Sequence, residues 1–155
     1  MILWAARAWV RRRSAHYHST GEPLSPADLE WALPFHEPAL LDGVRLSRVP
    51  LHVGRIAAIT YGASILISPD APSQGLAWQR LLFHELVHVA QYRVLGIDAF
   101  IDRYLRGWAA GGYRYRAIGL EVDAYAIEAR FASDPGRPFS VRAEVERRLE
   151  VSGGR

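Results

Sequence analysis

From residue 46 onward the apolar positions fall into short runs separated by turn residues: 46–53, 56–61 and 64–68, with Gly54 and Gly62 between them. Runs of this length, rich in β-branched residues, predict strands, and their spacing predicts a three-stranded antiparallel meander. A Pro/Asp/Ser break at 69–73 follows. The next apolar positions, among them Leu81, Leu82, Phe83, Leu86, Val87 and Val89, lie on most sides of a helix that starts at about 73–76 and runs to Leu95, where Gly96 stops it. A helix apolar nearly all round belongs in the middle of a core. Further helices are predicted over 97–108, 120–132 and 138–151, with a Gly-, Tyr- and Arg-rich loop at 109–116, a position where binding loops occur.

Upstream, Pro and Gly breaks make 14–45 a loop with one short helix, Pro26–Ala32, started by Ser25 and the proline behind it. The opening residues predict a helix that docks the side carrying Trp4 and Trp9 on the body. The expectation is one α+β domain: an N-terminal arm over 1–45 packed on a body at 46–151, in which a small antiparallel sheet lies on a buried helix.

Composition narrows the chemistry. The 155 residues are 50% hydrophobic and include no Cys, so disulfides, thiol nucleophiles and cysteine-based metal sites are excluded and a transition metal must use His, Asp or Glu. Every basic residue is Arg, which removes lysine chemistry as well. The net charge is +3, yet Arg7, Arg11, Arg12 and Arg13 alone exceed it, so the remainder is close to neutral. Nucleic acid is therefore not an expected partner. The start of the chain is too short to span a bilayer and wrongly ordered for a secretory signal, so the expected location is cytoplasmic, with export by another route left open. Residues 1–13 could still associate with a membrane surface.

The chemistry lies on the buried helix, in His84-Glu85-Leu86-Val87-His88. Positions four apart differ by about 40° around a helix axis, so both imidazoles project from one face and two nitrogens can meet one ion. Glu85 points about 100° away, where it can take a proton from activated water. A catalytic zinc takes three protein ligands and leaves one position for water. An extended motif with a third His is ruled out, because Gln91 and Val94 stand where Gly and His would be needed. The third ligand must then be an acid elsewhere. Glu121 is the choice, since Ala124 on its face allows close helix approach; Asp98, Asp102 and Glu128 remain open, and Asp123 points away from Glu121. His16, His18, His36 and His52 have no spaced partner and read as structural or exposed groups.

The run from Leu82 to Tyr92, followed by Glu121-Val122-Asp123-Ala124-Tyr125, resembles minimal gluzincin-type metallopeptidase domains. It looks most like the small bacterial domains called eCIS-core domains, which often accompany extracellular contractile injection system genes. The resemblance covers about 46–132 and implies a zincin-like fold, zinc on His84, His88 and Glu121, Glu85 as general base, and a peptide or protein substrate. It also implies that a strand before the His helix pairs with the peptide, here Ser64, Ile65, Leu66, Ile67 and Ser68. Many larger gluzincins carry an Asp where this chain has Tyr125, so Tyr125 or a backbone carbonyl is left to orient a zinc-bound His. Tyr125 and the loop of Tyr113–Arg116 are candidate donors to the developing oxyanion. The expected activity is zinc-dependent peptide hydrolysis. The alternatives are a non-catalytic, metal-stabilised binding or assembly module, associated with a secretion or injection system, and a protein that works at a membrane surface.

Overall fold

The computed structural model describes residues 2–51 and 56–153. In chain order it contains α1 (Ile2–Thr20), α2 (Pro26–Ala32), α3 (Pro38–Asp42), β1 (Arg45–Arg48), β2 (Ala58–Tyr61), β3 (Ser64–Ile67), α4 (Gly75–Leu95), α5 (Ile97–Ala110), a 3₁₀ turn at Tyr115–Ala117, α6 (Gly119–Ser133) and α7 (Val141–Gly153). The class is α+β. His52 and the end of the first expected strand lie outside the described residues.

The sheet departs from the expected meander. Its order is β1-β3-β2, with β1 parallel and β2 antiparallel to β3, so it is mixed. The physical reason lies in side-chain character. All four residues of β3 are buried, and a strand apolar on both faces is best placed at the centre, where its backbone groups are paired on both sides. β1 carries Arg45 and Arg48 and is only half-buried, which suits an edge. β2 and β3 form the one hairpin, turned by Gly62 at φ 65, where a Cβ would also strike the Ser14 hydroxyl.

α4 runs through the core, buried from Leu82 to Tyr92 without a break. One side packs on the sheet and the other on α6 and α7. There Phe83 stacks on Phe131 with ring centroids 4.2 Å apart, and Phe35 meets both rings edge-on. At the start of α2, Ser25 accepts the Asp28 amide, and Asp28 in turn accepts the Trp78 indole N–H at 2.7 Å, which ties this short helix to α4.

α1 is longer than expected, reaching Thr20, and α3 was not anticipated. α1 lies along α5, held by Arg7 to Asp102 and Arg11 to Asp98. The expected docking side is engaged in part: Trp4 is 74% exposed, whereas Trp9, 48% exposed, meets Tyr61 of β2 edge-on with ring centroids 5.2 Å apart, and Val10 is buried. Two ion pairs, a small apolar stripe and the Trp9–Tyr61 contact hold the helix, which leaves the Trp4 indole at its margin. Among the described residues no helix is long and apolar enough to cross a membrane.

Candidate metal centre

His84 and His88 sit on consecutive turns of α4, and Glu121 arrives from the first turn of α6; all three are buried. The His84 Nε2 and His88 Nε2 atoms are 3.2 Å apart, and each is 3.3 Å from Glu121 Oε2. This near-equilateral triangle allows a test. A tetrahedral ion with ligands at about 2.0–2.1 Å spaces them roughly 3.3–3.4 Å apart, so the donor set fits a zinc-sized cation. Two imidazole nitrogens facing each other at this separation need a proton or a cation between them. The group can hold a metal ion.

Electrostatics point the same way. Burial alone would lower the His88 pKa, but hydrogen bonding to Glu121 and the charges of Glu121 and Glu85 outweigh it and raise it to about 9. Burial would raise Glu121, but hydrogen bonds from His84 and His88 hold its carboxyl well below the usual carboxylate range. The pocket therefore keeps its carboxylate ionised and favours a cation at the Nε2 position.

His88 is oriented from behind by Gln91, which sequence reading treated only as a mismatch to the longer motif. Gln91 Nε2 donates to the Leu120 carbonyl at 3.0 Å, so its oxygen accepts from His88 Nδ1 at 2.8 Å. This leaves Nε2 as the ligating atom. The relay also joins α4 to the residue preceding Glu121. The signal was local, since Gln91 is three residues from His88 on one helix face. Replacing Gln91 with Leu is expected to weaken zinc affinity about 10–100-fold, measured by competition with a chromogenic chelator; unchanged affinity would show that the relay is idle.

Glu85 is 4% exposed, and its Oε2 accepts a hydrogen bond from the Thr60 hydroxyl at 2.6 Å. Thr60 lies on β2, 25 residues away, so no sequence pattern announced it. Glu85 stands between two clefts and lines both. One, of about 580 Å³, also exposes His84, Arg80, Arg116 and Tyr125. The other, of about 510 Å³, reaches His88 and Glu121 and is lined chiefly by apolar groups.

The remaining candidates are placed as follows. The Tyr125 ring lies 4.5 Å from that of His84, centroid to centroid, and the Arg116 guanidinium carbon lies 5.7 Å from the Tyr125 ring centroid. Tyr113 is 69% exposed, packs edge-on against Trp108 and does not line either cleft. The tyrosines at the centre are Tyr104, whose hydroxyl donates to Glu121 Oε1 at 3.1 Å, and Tyr115, which also interacts with Glu121 and lines both clefts. Burial, then the charge of Glu121, pushes both phenols well above their ordinary range, so they remain donors. The other acids are engaged elsewhere: Asp98 and Asp102 by α1, Glu128 by Arg80 at 2.6 Å, and Asp123 by Arg148 on α7. Of the other histidines, His16 and His18 are exposed and His36 is buried.

The expected peptide-pairing strand needs correction. Ser64, Ile65, Leu66 and Ile67 make up β3, which has a strand on each side, and Ser68 donates its amide to the Ala57 carbonyl. No free edge is left there. Among the described residues β2 is the strand of this sheet with an unpaired edge beside Glu85.

Residues 43–95 match the family model described as the eCIS core domain. The match supports the eCIS-core family and spans the sheet and α4, including His84, Glu85, His88, Thr60 and Gln91, but not Glu121. Comparison with curated proteins and with solved structures gives no match.

Proposed function

We infer that this eCIS-core-like chain is a metal-dependent peptidase of gluzincin type with a zincin-like arrangement. The observation that carries the reading is the triangle of two Nε2 atoms and one carboxylate oxygen, buried beside a carboxylate that is not part of it. A zinc ion held by His84, His88 and Glu121 would supply Lewis acidity for water and for a peptide carbonyl.

The chain's own residues do the rest. Thr60 occupies Glu85 Oε2, which fixes the carboxylate plane and leaves Oε1 to take a proton from water and return it to the leaving amine. Tyr115 borders both clefts and is held protonated, and its hydroxyl, turned from Glu121, would donate to the developing oxyanion. The edge of β2 is where an extended peptide would pair, because Ala58 lines both clefts and Thr60 reaches Glu85.

The test is hydrolysis of a mixed peptide library by protein carrying one zinc per chain, followed by mass spectrometry. Cleavage is expected to stop on chelation and return with added zinc. Full zinc occupancy with no cleavage of any peptide would instead favour a metal-stabilised binding or assembly module.

A further inference from the structure

The apolar cleft is built largely by parts of the chain outside 43–95. Its walls are Trp9 and Val10 of α1 facing Phe100, Ile101, Leu105 and Trp108 of α5. This open cleft of about 510 Å³ falls in the size range of ligand pockets, roughly 300–1,000 Å³. Its outer wall is held in place by the Arg7–Asp102 and Arg11–Asp98 pairs.

The charge pattern selects the occupant. Among the described residues no arginine lines this cleft, in contrast to its neighbour, which has Arg80 and Arg116. The ionisable groups of the metal centre that border it are Glu85, His88 and Glu121, and the Tyr104 hydroxyl is already given to Glu121, so this tyrosine offers its ring rather than its polar tip. Among the described residues a phosphate or carboxylate would find no cationic arginine here and two like charges, those of Glu85 and Glu121. A neutral apolar side chain meets rings and aliphatic groups.

We propose that this cleft is the specificity pocket of the site: it receives one large apolar side chain, aromatic or leucine-sized, of a peptide lying along β2, and α1 forms its outer wall. The proposal rests on the peptidase reading above, which supplies the peptide. α1 is then part of the substrate site.

The experiment uses the full-length, zinc-loaded protein and a set of capped peptides that differ only by Phe, Leu, Ala or Asp at one position, scanned along the sequence. At the position next to the cleavage point, kcat/KM is expected to be at least about 10-fold higher for Phe or Leu than for Ala, and lowest for Asp. Ala6→Trp, which fills the cavity from the half-exposed side of α1, should flatten that preference; Ala77→Trp, in the other cleft, should not. Leu105→Trp serves as a second filling variant, and thermal melting checks that each is folded. Calorimetric binding of the same peptides to zinc-loaded Glu85→Gln protein separates the two readings. Hydrolysis with no apolar preference, or a preference that both filled variants keep, overturns the pocket and leaves the peptidase standing. Binding ordered Phe over Ala and lost on filling, without hydrolysis by the parent, sustains the pocket and overturns the peptidase. Absence of both overturns both.

Discussion

Glu85→Gln protein is expected to hold one zinc per chain as the parent does, while peptide hydrolysis falls by about 10²–10⁴-fold. The side chain is isosteric, and its amide oxygen can still accept the Thr60 hydroxyl, so the local packing is retained. The metal should be retained because Glu85 is not one of the three converging groups. What is lost is the capacity to hold a proton between water and the leaving amine. Metal analysis and single-turnover cleavage on the same preparation check both halves. A variant that keeps its zinc and the parent's rate would end the proposed role of Glu85.

A fall in stability on mild acidification is expected from His36, far from that chemistry in function. This residue follows α2, is buried against Phe83, and its Nε2 has no hydrogen-bond partner. Burial lowers its pKa from 6.5 to about 3. The folded state therefore holds it neutral, while the unfolded chain takes up a proton below about pH 6.5. Stability from this group is fully present above 6.5 and is lost as the pH falls toward 3, with a slope of up to about 1.4 kcal/mol per pH unit. By pH 4.5 the loss is roughly 3 kcal/mol, a large share of a typical domain's stability. His36→Leu removes the titration and the unpaired nitrogen together. Urea unfolding of both proteins between pH 8 and 4 should give a gap that widens in favour of the variant as the pH falls. A constant gap would show that His36 is not held neutral by the fold.

Legibility followed sequence distance. The α4 boundaries, its burial and the shared face of His84 and His88 were readable because helical period places them within one or two turns. Gln91 falls on the same face by that period, but the period alone does not show that it pairs with His88. Strand positions were legible, but strand order was not. The uninterrupted Ser-Ile-Leu-Ile run of β3 is the cue for a central strand, since both of its faces are buried, whereas the spacing of the runs alone predicts it as the end of a meander. The resemblance implies the same run, 64–68, as the peptide-pairing strand, and its central place in the sheet leaves it no free edge.

On its own, the sequence determined the spacing of Glu85 between two imidazoles, the absence of competing cysteine ligands and the apolar helix that carries the motif. Tertiary structure decided that Glu121, rather than Asp98, Asp102 or Glu128, closes the triangle, that Thr60 steadies Glu85, and that α1 walls the apolar cleft. The division has a physical cause. Backbone periodicity fixes where neighbouring side chains point, whereas contacts 25 to 95 residues apart depend on which elements bury their apolar faces against each other, and no local pattern encodes that pairing.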